Sequence, residues 1–331
     1  MRAQLSFVVI TYRRPELLMR CLESLDRARG TEAVEVWAGF NGFDASHAPL
    51  KAWIEERYPY MRVLELERVS RPAARNRVVK ETCGRIICFL DDDTEIPEGF
   101  AERLVRKFER YPRVLAMGGP NIGPADAAPF ERAVDFLLRS PWGAGPTRIR
   151  HRPGETEQTL PGWCFTLSNL AVRREVFERH GLFFSEDCAS AEENLLLFRI
   201  EGVGGALLYA SDLYVFHRRR GRLGAFCLQA FTSGRGRGQI TRSAPGTFQY
   251  FVLIPVAWSF YLAGLFWLWR TPHILVPLLV YTVCGGVECV RLAYARKDPR
   301  AALWVPLLGF SGHVAYAAGV AAGFFQSRVR L

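Results

Sequence analysis

Three consecutive carboxylates, Asp91, Asp92 and Asp93, close the apolar run "RIICFL" of residues 85–90. Like charges so close repel one another, and the arrangement calls for a positive partner. In an extended segment residues two apart face the same way, so Asp91 and Asp93 converge while Asp92 points elsewhere. Two hard oxygen ligands on one side suit Mg2+ or Mn2+, above all where a diphosphate completes the shell. A solvated acidic turn ahead of a helix near Pro97 is the plainer alternative. A second acidic pair, Glu192–Glu193 in "AEENLLLFR", stands at a helix start, where the dipole alone favours acids. Trp163 in "LPGWCF" reads equally as a stacking surface or as core. His217 follows the strand-like "LYVF" and opens an arginine cluster.

The elements that carry these residues alternate. "LSFVVI" (5–10), "AVEVWAGF" (33–40), "MRVLELE" (61–67) and "RIICFL" read as strands. Between and after them, "RPELLMRCLESLDRA", "LKAWIEERY", "PAARNRVVKET" and "EGFAERLVRKFERY" read as helices, the first with Pro15 in its opening turn. Such alternation means an α/β domain with a mostly parallel sheet. Ligands of these sheets bind beyond the carboxyl ends of the strands, where Asp91–Asp93 stand. No G-x-G-x-x-G follows the first strand, which argues against a dinucleotide oxidoreductase.

The 331 residues allow one large or two ordinary domains. The net charge of +10 is unevenly spread: residues 1–216 hold 29 Lys and Arg against 31 Asp and Glu, and residues 217–246 hold seven Arg and no acid. A nucleic-acid partner is not expected, because the large N-terminal part has no basic excess. The eight cysteines show no C-x-x-C pair, and reduced thiols facing a cytosol are the simplest reading. The opening "MRAQLSFVVITYRRPE" is too short and too soon charged for a signal peptide, so the N-terminal part is expected in the cytoplasm.

Three late segments, 247–269, 274–295 and 301–326, each approach the roughly 20 apolar residues that cross a bilayer. Trp267, Trp269 and Trp304 stand near their ends, as an interfacial belt would. Arg235, Arg237 and Arg242 precede the first span, Arg270 lies in the first connection, and Arg296, Lys297 and Arg300 lie in the second. The positive-inside rule then puts the N-terminal domain and second connection in the cytoplasm, leaving Arg328 and Arg330 outside. Glu288 is expected to pair with Arg291. Within 217–246, Leu223, Phe226, Cys227, Ala230 and Phe231 share a helical face that would lie on a membrane surface. "SGRGRGQ" (233–239) reads as a flexible cationic loop, attracting anionic lipid or gripping a lipid phosphate.

Four stretches in order make residues 5–217 resemble a family 2 glycosyltransferase of the GT-A fold. They are "VVITYRRPELLMRCLESL", "SRPAARNRVVKETCGRIICFLDDDTEIPEGF", "LPGWCFTLSNLAVRREVFERHGLF" and "AEENLLLFRIEGVG". The resemblance implies a nucleotide-diphosphate sugar donor. It puts Thr11, Tyr12 and Arg14 in the first nucleotide-contact loop and Arg71 near the base or phosphates. It makes Asp91 and Asp93 the metal and diphosphate ligands, and turns Asp92 to the ribose or donor sugar. Plainer roles remain, packing for Tyr12 and a surface charge beside Glu16 for Arg14. Glu192 and Glu193 match the family's acidic pair, with Glu193 the base at a position where the family more often has Asp. Trp163 becomes a candidate platform for an acceptor sugar, and His217 a further metal or diphosphate ligand. One departure stands out: the family's second strand usually ends in an Asp that holds the base, and here Phe40 occupies that place. Asn41 or Asp44 as substitute, or Phe40 as a stacking ring, are the candidates.

The expected architecture is a GT-A domain (1–216), an Arg-rich interfacial helix and loop (217–246) and a membrane domain (247–331) of three spans. The expected chemistry is an inverting, metal-dependent transfer to a hydroxyl of a polyprenyl-diphosphate-linked glycan. The layout resembles succinoglycan-type exopolysaccharide transferases of the bacterial inner membrane. A base suits a hydroxyl acceptor, whereas polyprenyl phosphate, the competing acceptor, is already an anion. A non-catalytic membrane scaffold that binds nucleotide sugar is the reading from another class, invited by Phe40.

Overall fold

The computed structural model describes residues 3–28, 30, 33–268, 271–295 and 297–329. Trp269, Arg270, Arg296 and Arg330, which entered the span and orientation arguments, lie outside the described residues. The chain runs β1 (Leu5–Thr11), α1 (Pro15–Ala28), β2 (Val34–Asn41), α2 (Ala48–Arg57), β3 (Met61–Leu66), α3 (Arg71–Glu81), β4 (Ile86–Asp91), β5 (Thr94–Glu95), α4 (Phe100–Arg110), β6 (Val114–Gly118) and β7 (Asn121–Ile122). It continues with α5 (Pro129–Arg139), α6 (Pro141–Ala144), β8 (Glu157–Thr159), β9 (Leu170–Arg173), α7 (Glu175–Glu178), α8 (Glu192–Gly202), β10 (Ala206–Ala210) and β11 (Val215–His217). It then runs through α9 (Leu223–Ser243), α10 (Leu253–Leu268), α11 (Val276–Ala295), α12 (Pro299–Ala302) and α13 (Val305–Phe324).

Two compact units emerge. The first comprises Met1–Ile122, Arg152–Asp187 and Glu192–His217; the second comprises Gly123–His151, Cys188–Ala191 and Arg218–Leu331. In the first, a sheet of order β3-β2-β1-β4-β9-β6-β10-β8 is parallel from β3 to β4. β9 enters antiparallel between β4 and β6. A small second sheet has the order β5-β11-β7. β1 and β4 are apolar without alternation because helices cover both faces of the sheet. Leu18, Cys21, Leu22 and Leu25 of α1 and Phe100, Leu104 and Phe108 of α4 recur at helical spacing and are all buried in one core.

Glu35 fastens the start of β4 to β1. Its Oε1 accepts from the Ser6 hydroxyl at 2.5 Å and from the backbone N–H of Cys83 and Gly84 at 2.5 and 3.1 Å. Gly84 is required there, because a Cβ would stand 2.4 Å from Ser6 Oγ.

In the second unit, α9 continues through the segment read as a flexible loop, and its glycines explain why. A Cβ at Gly234 or Gly238 would lie 2.1 Å from the carbonyl oxygen of Tyr316 or Val320 on α13. Gly319 and Gly323 on α13 are equally tight against Phe231 and Arg235. Small residues four apart on both helices let the backbones touch, which offsets the roughly 1 kcal/mol that each glycine costs a helix. The apolar face around Phe226 packs against α5, α11, α12 and α13 residues rather than standing open. The 123–151 segment joins this unit through Ala133, Val134 and Leu137, and through Trp142, which sits against Gly285 and Gly309.

Among the described residues, two helical stretches, His273–Tyr294 and Pro299–Phe324, are long and apolar enough to cross a membrane. The first expected span forms a shorter helix, α10, of 16 residues. Leu279, Val280, Val283, Val287 and Val290 of α11 are each more than half exposed. Glu288 is buried and pairs with Arg291 at 2.9 Å, as expected.

Burial opposes ionisation of Glu35, yet the hydrogen bonds from Ser6, Cys83 and Trp37 outweigh it and hold its carboxyl below the usual value. The sign follows: the stabilisation is complete above the unfolded carboxyl's pKa of about 4.3 and is lost as pH falls through the lower folded value. Glu35→Gln should therefore cost about 1–2 kcal/mol at pH 7, and the gap to wild type should close below about pH 4. Thermal unfolding across that range measures it.

Candidate active site

The site begins where β1 and β4 end. Asp91 is in register with Ile10, so the turn after β4 meets the loop after β1. The Thr11 hydroxyl donates to Asp92 Oδ2 at 2.9 Å. Arg14 bridges Asp92 and Asp93 at 3.2 and 3.3 Å, which turns Asp92 into the first loop. Arg13, between Tyr12 and Arg14, takes a left-handed backbone with φ 52°, an unfavourable geometry for a non-glycine residue. Asp92 and Asp93 are both buried. The Asp92 carboxyl is pushed up to about 6, first by burial and then by the Asp93 charge, against the pull of Arg14 and the Thr11 hydroxyl.

His217 arrives through the small sheet. β11 pairs antiparallel with β5, which sets His217 opposite Thr94 and beside Asp93. Its Nε2 lies 2.9 Å from Asp93 Oδ1. One ligand atom each from Asp91, Asp93 and His217 fall within 4.8 Å of one another. Two carboxylates and an imidazole converging in a half-closed, negatively charged corner fit a divalent cation.

The Glu192–Glu193 carboxylates are reached through a residue that sequence reasoning missed. Arg75, on the buried face of α3, is 3% exposed. Its Nη1 donates to Glu192 Oε1 at 2.7 Å and its Nη2 to Asp91 Oδ1 at 3.2 Å. Arg71, expected near the base or phosphates, is exposed on the first turn of α3, one turn before Arg75. The signal was present: Arg75 stands among Ala73, Ala74, Val78 and Val79, and an arginine on an apolar face demands a carboxylate. Asn76, next to it, holds Phe184 by both backbone groups at 2.8 and 3.1 Å.

Glu192 and Glu193 open α8 and both are buried. Ala191, just before them, has φ 60°. Asn194 donates to Glu193 Oε1 at 3.3 Å and to the Gly162 carbonyl at 3.2 Å. The loop carrying half-buried Trp163 is thereby tied to the start of α8.

The end of β2 is arranged differently from expectation. Phe40 is 1% exposed and packs edge-on against Phe43 and His47, so it offers no face to a base. Asn41 donates to the Val69 carbonyl and accepts from the Val69 N–H, both at 2.9 Å, and so fastens the 67–70 loop. Arg68 on that loop lies 4.3 Å over the Tyr12 ring. Asp44 accepts from the Ser46 backbone at 2.9 Å as a helix cap, 3.7 Å from Arg13.

Residues 6–181, more than half of the chain, match the profile described as glycosyl transferase family 2. The chain belongs to that family. It is a glycosyltransferase with a GT-A fold and solved relatives of the same fold. One is a mannosyltransferase of Pyrobaculum calidifontis, PcManGT, in complex with GDP-Man and Mn2+. The two share 18% identity over 98% of this chain and 87% of the other, with a TM-score of 0.59. Another is GalNAc-T7 with UDP, GalNAc and Mn2+, at 14% identity over 73% of this chain and 48% of the other, TM-score 0.53. At such identities the likeness is one of fold. No curated protein sequence matches the chain. The family match of this glycosyltransferase includes Asp91–Asp93 and stops short of Glu192, so the acidic pair rests on the geometry above.

Arg14→Ala removes the guanidinium shared by two buried carboxylates. It should lower stability by about 1–2 kcal/mol in cation-free protein. Added Mn2+ should restore part of the loss by supplying the missing positive charge. Thermal unfolding midpoints of variant and wild type, with and without the cation, give the comparison.

Proposed function

We propose that this family 2 glycosyltransferase moves a sugar, with inversion, from a nucleotide-diphosphate donor to a hydroxyl of a polyprenyl-diphosphate-linked glycan. The work is done on the cytoplasmic side of a bacterial inner membrane, in assembly of a cell-surface polysaccharide. One observation carries the reading: Asp91, Asp93 and His217 converge in the same unit as the buried pair Glu192–Glu193, with Arg75 bonded to both groups. The nucleotide sugar and Mn2+ held by PcManGT and the nucleotide and Mn2+ held by GalNAc-T7 support the donor class.

Asp91, Asp93 and His217 would hold a divalent cation, which when bound offsets charge on the leaving diphosphate. Arg14 keeps Asp93 in place by pairing with it. Glu193 accepts the proton of the acceptor hydroxyl as its oxygen bonds to the anomeric carbon. The bond from that carbon to the donor phosphate breaks, and its electron pair leaves on the nucleoside diphosphate. Single displacement inverts the anomeric centre. Asn194 orients Glu193, and Trp163, on the loop that Asn194 ties to α8, is the stacking surface for the acceptor sugar. Thr11, Tyr12 and Arg14 line the donor side with Asp92.

Two apolar helical stretches of spanning length, the shorter α10 and the exposed valines of α11 support a membrane-embedded second unit. Its arginines, including Arg235, Arg237 and Arg242, favour the cytoplasmic leaflet.

Asp93→Asn and Glu193→Gln should each reduce transfer by about a hundredfold or more. Donor binding should weaken in the first and survive in the second, and EDTA should stop the wild-type reaction. Mass spectrometry of lipids from membranes given nucleotide sugars and lipid-linked acceptors reads the product. Full turnover by both variants would overturn the assignment, and Glu193→Gln active only on polyprenyl phosphate would shift it to an anionic acceptor.

A further inference from the structure

We propose that Arg75 is a positioning residue that couples cation binding at Asp91 to the acceptor-side carboxylate Glu192. The inference rests on the reading of Asp91 and Asp93 as cation ligands. Arg75 is 3% exposed, and its two terminal nitrogens are divided between carboxylates from different elements, at 2.7 Å to Glu192 and 3.2 Å to Asp91. The Asp91 side chain keeps 35% exposure, against 7% for Glu192. Asp91 therefore faces two positive partners, a fixed guanidinium within the protein and a cation arriving from the open side. The two compete for the negative charge of the same carboxylate.

The competition has a definite direction. A cation on Asp91 weakens the hold of Arg75 there and leaves more of its charge to Glu192. The ion pair that fixes the first residue of α8, next to Glu193, then tightens. By reciprocity, whatever loosens Arg75 from Glu192 turns it more fully to Asp91 and disfavours the cation. A planar fork on a helix pinned by Asn76 can serve both carboxylates, whereas a lysine is a single point charge. Arrival of the donor with its cation is in this way felt at the acceptor-side acids, which do not touch it.

The test is Mn2+ titration of the full-length protein in detergent, by calorimetry or the paramagnetic signal of free Mn2+, without donor or acceptor. Glu192→Gln should weaken Mn2+ binding about fivefold or more. Arg75→Met should strengthen binding, and adding Glu192→Gln to it should change affinity less than twofold, because the route from Glu192 to Asp91 is gone. If Arg75→Met does not fold, Arg75→Lys takes its place, and Glu192→Gln should again matter less than twofold in that background. Circular dichroism confirms folding of each variant. Equal weakening by Glu192→Gln with and without Arg75 would mean a direct field effect and would overturn the proposal, as would unchanged affinity in the Glu192→Gln single variant. Wild-type protein that binds no Mn2+ would instead overturn the cation site itself, and this coupling with it.

Discussion

Carboxylates gathered where a parallel strand ends are the constraint on which the catalytic unit depends. Asp92 and Asp93 lose most of their water, and Asp91 stays partly open beside them. Coulomb repulsion in so poorly screened a corner would unravel the turn if nothing opposed it. Two arginines share the load from opposite sides. Arg14 comes from the loop between β1 and α1 and takes Asp92 and Asp93; Arg75 comes from the helix before the fourth strand and takes Asp91 and Glu192. The parallel order β2-β1-β4 makes this possible, because the loop that follows β1 and the first half of the helix that leads to β4 both lie at the carboxyl edge of the strands.

The second unit solves a different problem. Its helices α10, α11 and α13 are apolar on outward as well as inward faces, so burial of side chains discriminates little between packing arrangements. Backbone proximity does the selecting. Glycines four apart on α9 and α13 bring carbonyl oxygens of each helix against the other's Cα positions, and no larger residue fits. The arginines between those glycines are carried along the same helix. A stretch that composition alone marks as loop is therefore rigid, and its charges are presented in fixed order rather than on a flexible tether.

Much of this could be read from the chain beforehand. The strands and helices up to residue 111 form where hydrophobic period and capping residues put them, because each is decided by contacts within a few turns. The D-x-D was legible for the same reason: residues two apart in an extended segment share a side. The arginine partner of Asp91 and Glu192 was not legible: Arg71 stood out as a base or phosphate contact, and Arg75, one turn further on, did not stand out at all. Both lie on one helix, and only the packing of α3 decides which of them turns inward. Asn41 and Phe40 show the same limit. Their types suggested contact with a base, but the 67–70 loop and the core claim them first.

The amino-acid sequence by itself determined the alternation of elements, the acidic strand end and the existence of long apolar helical stretches, all of which depend on neighbours close in the chain. Tertiary structure alone decided that His217 meets Asp93, that Arg75 joins Asp91 to Glu192 and that residues 123–151 leave the catalytic unit for the helical one. Those choices depend on which of several chemically equivalent groups is brought within a few ångströms of a charge, and chain separation carries no information about that distance.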